Sequence, residues 1–133
     1  MLLQVGVKVL LKNPDGKYLL MRRNPAKYPE TQKWDIPGGR IDPGTTLMEN
    51  LTREVMEETG LTMTSEPRLV AAQDIFANAE KHVVRLTYIG DADGEPVLSD
   101  EHEEFGWFTP AELRTLEPLD SYLKQLLDTR LTL

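Results

Sequence analysis

Residues 37–61 read PGGRIDPGTTLMENLTREVMEETGL, and the rest of the chain is best understood as what holds this stretch in place. It opens with a Pro-Gly-Gly turn, passes a second turn signal at Asp42-Pro43-Gly44, and then takes on helical spacing. Thr45 or Thr46 can cap the start of that helix, and Thr46 with Glu49 three residues on spells a capping box. Gly60 marks the end, since glycine readily adopts the left-handed conformation past a last helical turn.

On this helix Glu54, Glu57 and Glu58 stand at i, i+3 and i+4, so their carboxylates share one face. At 3.6 residues per turn they span an arc of roughly 100°. Leu47, Leu51 and Val55 recur every four residues and mark the face expected to be buried. On the same wheel Glu54 and Glu58 fall close to the Leu47–Leu51 direction. Acids so placed repel one another and lose hydration, and a divalent cation removes both costs. Hard cations such as Mg²⁺ take oxygen ligands and complete their shell with water and substrate phosphate. The alternative is a solvated helical face paired internally through Glu49–Arg53 and Arg53–Glu57. The preceding turn favours the cation, because glycines let backbone approach a ligand and leave carbonyls free to bind it.

The order Gly39, five residues, Thr45, seven residues, Arg53-Glu54-Val55, Met56, Glu57-Glu58, Thr59, Gly60-Leu61 resembles the Nudix box. Every fixed position of that box is met except one. Thr45 stands where the family has Glu, a residue that mainly serves as structural partner of the box arginine, here Arg53. A helix-capping threonine offers a physical substitute. The resemblance implies an α+β fold, a mixed β-sheet sandwiched between α-helices, formed by one Nudix hydrolase domain over residues 1–133. Periodicity by itself supports only mixed α and β.

Outward from the box, residues 2–11 read as a strand, Pro14-Asp15-Gly16 as a turn, and residues 17–23 as a second strand completing a hairpin. Arg22 and Arg23 end that hairpin near the Pro-Gly-Gly stretch, and alternation allows only one of them to face a cleft there. In similar proteins an arginine in this region grips substrate phosphate. Residues 24–33 form a polar loop, and Trp34 is either packing or a platform for a base. Past the box, residues 68–76 and 82–89 read as two strands joined by Asn78-Ala79-Glu80, with His82 a lone strand histidine.

Residues 99–108, SDEHEEFGWF, form an acidic loop running into an aromatic strand, with a helix to follow from Pro110. This resembles the segment that follows the box in the family, where an acid placed like Glu101 supplies a metal ligand or a catalytic base. Glu103 and Glu104 are adjacent and point to opposite sides if extended. Leu119, Leu123, Leu126 and Leu127 put a packing helix in residues 119–131.

The chain has 133 residues, a formal net charge of −7 and no cysteine. Disulfides and thiolate metal sites are thereby excluded. The negative surface argues against a nucleic-acid footprint, though not against a nucleotide held through a metal. No run approaches the roughly 20 apolar residues of a membrane span. A soluble cytoplasmic monomer or homodimer with a small nucleotide as partner is the expectation.

The resemblance further implies metal-dependent hydrolysis of a nucleoside diphosphate linked to another group, with Mg²⁺ or Mn²⁺ as cofactor. Glu54, Glu57, Glu58, Glu101 and the Gly38 carbonyl are the implied metal ligands. Glu101, or a box glutamate not fully used as a ligand, is the implied proton acceptor. Arg53 holds the helix carboxylates, and Arg22, Arg23 and Trp34 are the candidates for substrate contact. Marks of ADP-ribose, dinucleoside polyphosphate, coenzyme A and NADH hydrolases are missing, which leaves a nucleoside triphosphate pyrophosphohydrolase of the sanitising type. A non-catalytic nucleotide-binding or regulatory module, or a hydrolase of a nucleotide sugar or dinucleotide, are the alternatives. An isoprenoid diphosphate isomerase on the same fold is excluded, because its chemistry needs a cysteine.

Overall fold

A computed structural model describes residues 1–30, 32–129 and 131–133. The loop expected over 24–33 and the helix expected over 119–131 each include one residue outside that description, Thr31 and Arg130.

The longest strands are β1 (Leu2–Lys12), β4 (Arg68–Asn78) and β5 (Lys81–Asp91), and β1 lies at the centre of the sheet. It runs parallel to β5 along its whole length, with Leu2 opposite Lys81 and Lys12 opposite Asp91. Its other edge is shared. β3 (Gly38–Arg40) pairs with Gly6, Val7 and Lys8, and β2 (Tyr18–Arg23) joins at Lys12. β6 (His102–Phe108) extends the sheet beyond β2, and β4 closes the far side against β5. The order is β4-β5-β1-β2-β6, mixed as the resemblance implied. The Pro-Gly-Gly stretch is not a turn: Gly38 and Gly39 are the first two residues of β3.

Alternation along β1 assigns the two faces. Val7, Val9 and Leu11 point to one side, where they pack with Leu51 and Val55 of α1 (Leu47–Thr59). Leu10 points to the other and meets Leu113 of α2 (Pro110–Thr115) and Leu123 and Leu127 of α3 (Ser121–Thr129). The sandwich therefore has α1 on one face and α2 with α3 on the other. Truncating a fully buried leucine such as Leu51 to Ala removes contacts worth about 2–5 kcal/mol.

The helix caps follow from the sequence. Thr46 is the N-cap of α1 and exchanges hydrogen bonds with Glu49, and Gly60 ends the helix at φ 69°. Of the two threonines that could cap this helix, Thr46 does so. A second capping box, Thr109 with Glu112, starts α2 directly after β6. No helix among the described residues is long and apolar enough to cross a membrane.

Candidate active site

The β1–β3 ladder decides where the box glycines point. Val9 N–H donates to the Pro37 carbonyl at 3.0 Å and Ile41 N–H to the Val5 carbonyl at 2.9 Å. Gly38, one residue off this register, must turn both its N–H and its C=O away from β1. Its N–H donates to Glu58 Oε2 at 2.8 Å. A Cβ on Gly38 would sit 2.0 Å from the Val7 carbonyl oxygen, and one on Gly39 would sit 2.9 Å from the Glu54 carboxyl carbon. Glycine is required at Gly38 because a side chain there would strike the backbone of β1, and at Gly39 so that α1 can bring Glu54 against the strand.

The three helix acids are not equivalent. Glu58 is buried, with 7% of its surface exposed, Glu54 is half-buried, and Glu57 lies at the exposed margin. Burial pushes the Glu58 carboxyl up to about 7; Lys8 and the Gly38 N–H oppose that rise, while Glu54 and Glu101 add to it. A Glu101 carboxylate oxygen, a ring nitrogen of His102 and a Glu58 oxygen all lie within 4.8 Å of one another. Glu101 belongs to a loop tethered by the Asn24 N–H, which donates to the Glu101 carbonyl at 2.8 Å, and by the Lys27–Asp100 ion pair at 2.5 Å. β6 then begins at His102, so Glu103 and Glu104 are exposed strand residues rather than loop.

Arg53 organises the helix side. Its guanidinium reaches Asp42 at 2.5 Å, Glu54 at 3.2 Å and Glu57 at 3.7 Å. Glu49 is engaged by its cap instead and is not a partner of Arg53. Asp42 is thus the loop acid that pairs with Arg53 in this chain, where position 45 holds Thr. Buried Asn50 secures this arrangement: its Oδ1 accepts from Asp42 N–H at 3.0 Å and from Arg53 at 3.2 Å, and its Nδ2 donates to the Thr46 carbonyl at 2.7 Å. Thr45 donates to the Asp42 carbonyl at 2.7 Å and accepts a hydrogen bond from Asn50.

Opposite these acids lies a cleft with two lobes of about 390 and 490 Å³, and the two share Lys8, Arg23, Asp35 and Asp120 in their walls. Such volumes fall in the range of small-molecule sites. Arg85 of β5 is almost fully buried and splints two acids, Asp35 at 3.2 Å and Asp120 at 3.1 Å. Lys8 bonds Asp35 at 3.3 Å and the Ile36 carbonyl at 3.1 Å. Desolvation would lift the Asp35 carboxyl, but Lys8, Arg85 and the Ile36 N–H together hold it below the usual range. Burial, with Arg23 and Lys8 nearby, lowers His102 to about 4, so its imidazole is neutral near pH 7.

Of the two hairpin arginines, Arg23 lines both lobes and stacks on Tyr28 with its guanidinium carbon 4.4 Å from the ring centroid. A register irregularity in the β2–β6 pairing separates it from Arg22. Arg22 is occupied by Glu104 at 3.2 Å, the Gln32 carbonyl at 3.2 Å and the Trp34 ring at 5.6 Å. Trp34 itself packs in the core, edge-on to Phe108 with ring centroids 5.2 Å apart. The structure therefore brings Gly38, Glu58 and Arg23 into the walls of one cleft, with Glu101 beside Glu58, Glu54 against Gly39, Arg53 paired to Glu54, Glu57 exposed, and Arg22 and Trp34 outside the lining. His82 is a strand histidine as expected, bonded to Asp74 at 2.7 Å and stacked on Phe76. Lys8, Asn50, Arg85 and His102 escaped the sequence reading. Only His102 carried a signal there, its position next to Glu101.

Known proteins resemble this chain in sequence and fold. A B. subtilis (strain 168) protein named "Putative 8-oxo-dGTP diphosphatase" is 30% identical over 110 residues, covering 81% of this chain and 68% of that one. Nucleoside triphosphatase NudI of E. coli (strain K12) is 29% identical over 114 residues, covering 78% of this chain and 80% of its own. The crystal structure of a MutT protein from Methanosarcina mazei Go1 superposes with a TM-score of 0.83 at 31% identity, over 95% of this chain and 91% of that one. The NUDIX domain model matches residues 2–129, so box, cleft and both helical layers fall within it, and the chain belongs to the Nudix family.

Proposed function

We propose that this Nudix hydrolase cleaves a nucleoside triphosphate to the monophosphate and pyrophosphate, in the manner of a nucleotide-sanitising enzyme. One observation carries the reading: buried Glu58, with Glu101 and His102 beside it, opens onto a cleft walled by Lys8, Arg23 and Arg85. Acids alone would repel a phosphate chain and cations alone could not activate water, whereas this cleft offers both. The names of the B. subtilis and E. coli relatives, a diphosphatase and a triphosphatase of nucleotides, point the same way.

Nudix hydrolases generally work with a divalent metal, and the donor set fits one. Glu54, Glu57, Glu58, Glu101 and the carbonyl of Gly38 present hard oxygen donors, and Glu58 is a desolvated carboxyl that gains most from a nearby positive charge. These residues would hold Mg²⁺ or Mn²⁺, which supplies positive charge against the phosphate chain and lowers the pKa of water. Glu101, at the exposed end of its loop, accepts the proton from the attacking water. Arg53 fixes the Glu54 and Glu57 side chains, and Arg23 takes a phosphate oxygen. Tyr28 supports Arg23, while its neighbour Arg22 engages Trp34. A nucleotide screen with Mg²⁺ or Mn²⁺ and pyrophosphate release as readout tests the proposal. Turnover that survives excess chelator would overturn the metal-dependent reading, and turnover confined to nucleotide sugars or dinucleotides would overturn the choice of substrate.

A further inference from the structure

Lys8 sits in the middle of the central strand on the face that carries Gly6 and the fully buried Leu10. An apolar residue is the ordinary occupant at such depth, and an ammonium there is costly unless it is paired. Its side chain is 19% exposed.

The pairing it makes uses only part of its donor capacity. Asp35 Oδ1 already accepts the Ile36 N–H at 2.8 Å and Arg85 at 3.2 Å. Lys8 engages the other oxygen, Oδ2, at 3.3 Å. The ammonium has three N–H groups, and among the described residues two acceptors engage it, Asp35 and the Ile36 carbonyl. One donor remains for a ligand.

Its location says which ligand. Lys8 is in the wall of both lobes, the one containing Glu58 and His102 and the one containing Gly39 and Arg85. Its charge is felt at Glu58 and at His102, so it lies within electrostatic reach of the acid cluster. An anion running from that cluster into the second lobe passes the ammonium. In a chain of net charge −7, an anionic ligand needs cations collected at one place.

We propose that Lys8 is a substrate-binding residue that donates a charged hydrogen bond to a non-bridging phosphate oxygen of the nucleotide. This rests on the hydrolase reading above for the identity of the ligand. Asp35 is then a positioning residue that holds the Lys8 side chain, and Arg85 holds Asp35.

The experiment uses the whole chain, with dGTP and Mg²⁺ for kinetics and the hydrolysis-resistant imidodiphosphate with Mg²⁺ for calorimetric binding. Mn²⁺ alone is titrated as a separate control. Lys8→Met is expected to raise KM and the imidodiphosphate Kd by about ten- to hundredfold, the range for a lost hydrogen bond to a charged group. kcat should change little, Mn²⁺ alone should bind no more weakly, and Lys8→Arg should restore most of the affinity. A wild-type KM and Kd in Lys8→Met overturns the proposal, even if the melting temperature falls, because the lysine is then structural. Should Lys8→Met fail to fold, Lys8→Gln keeps a donor for the Ile36 carbonyl and answers by the same two constants. If the wild type turns over no nucleoside triphosphate, the hydrolase reading has failed. The imidodiphosphate arm still decides Lys8, since equal affinity in wild type and variant overturns it and a tenfold loss sustains it.

Discussion

The acid wall of the cleft comes mainly from one helix and the glycine strand before it, whereas the cationic wall takes Lys8 from β1, Arg23 from β2 and Arg85 from β5. The two walls also meet the cost of burying charge differently. Two of these cations are paired with acids, one of them shared: Arg85 with Asp35 and Asp120, and Lys8 with Asp35. Glu58 has only a backbone N–H and a more distant Lys8 against desolvation and two further acids, and its carboxyl is displaced to about 7. One wall is electrostatically settled, and the other carries a desolvated carboxyl that a nearby positive charge would stabilise. Variants that remove charge should therefore harm activity most on the acid wall and stability most on the cationic wall.

The largest expected effect is on the acid wall. Glu58→Gln should cut kcat by about 10²-fold or more, because several kcal/mol of charge stabilisation depend on the ligand set. The fold should survive, since the neutral amide relieves desolvation. Glu101→Gln should lose about 10²–10⁴ in kcat, the range for general-base work, with a modest change in KM. Glu103→Gln and Glu104→Gln should change little, since both are exposed strand residues and Glu104 serves only a surface pair with Arg22. Stopped-assay kinetics on the four variants decides it: a wild-type rate in Glu101→Gln alongside a collapse at Glu103 or Glu104 would assign the base to another acid.

That desolvation is measurable in metal-free protein. The Glu58 carboxyl is raised from 4.5 to about 7, chiefly by desolvation. Between those values the folded state keeps a proton that the unfolded state has released, so stability falls as pH rises through the window. The loss should reach at most about 3 kcal/mol, complete near pH 8. His102, lowered to about 4, works the other way, because between that value and 6.5 the unfolded state holds the extra proton and stability rises with pH. Urea unfolding in chelator at pH 5 and pH 8 should therefore show stability falling further, or rising less, in the wild type than in Glu58→Gln. Equal slopes in the two proteins would mean that Glu58 is not the group that titrates.

The asymmetry between the walls also explains what could be read from the sequence. The box is contiguous, its helix has one period, and its caps and glycines each leave a local mark. Glu54 and Glu58 fell on the inward side of the wheel, and both proved partly or fully withdrawn from water. The cationic wall leaves no such mark. Lys8 is one lysine in a strand and Arg85 one arginine in another, and only the parallel β1–β5 pairing and the bridge between Met21 and Asp35 bring them together at that acid. Likewise Pro-Gly-Gly has turn composition, but its glycines pair with β1 as a strand, and the β1 backbone at Gly38 and Glu54 at Gly39 leave no room for a side chain. Trp34 was open between packing and base contact, and its edge-on fit to Phe108 puts it in the core.

A smaller effect is expected behind the acid wall, at Asn50. This buried amide serves Asp42, Arg53 and the Thr46 carbonyl at once. Asn50→Ala leaves the Asp42 N–H and one Arg53 donor without that acceptor, and should cost about 1–3 kcal/mol. If the loop matters to chemistry through Arg53, kcat should fall as well, and calorimetric melting alongside kinetics separates the two. Full stability in Asn50→Ala would mean that water replaces the amide and the loop does not depend on it.

The smallest effect concerns the one departure from the box, and it tests whether Asp42 has taken over from the family's Glu. Thr46 is the cap of α1, so Thr45→Ala removes only the side-chain bonds to Asp42 and Asn50 and should cost about 0.5–1.5 kcal/mol with little change in kcat. Thr45→Glu puts a carboxylate on the same loop turn as Asp42, beside the guanidinium that Asp42 now holds. If both acids can reach Arg53, they substitute for one another. Asp42→Ala should then cost less, in stability and in kcat, in the Thr45→Glu background than in the wild type. A double-mutant cycle reads this directly, with a coupling of about 0.5 kcal/mol or more expected for groups that share a partner. Additive effects would show that a Glu at position 45 does not reach Arg53 in this loop, and that Asp42 with Asn50 is a separate solution rather than a substitute.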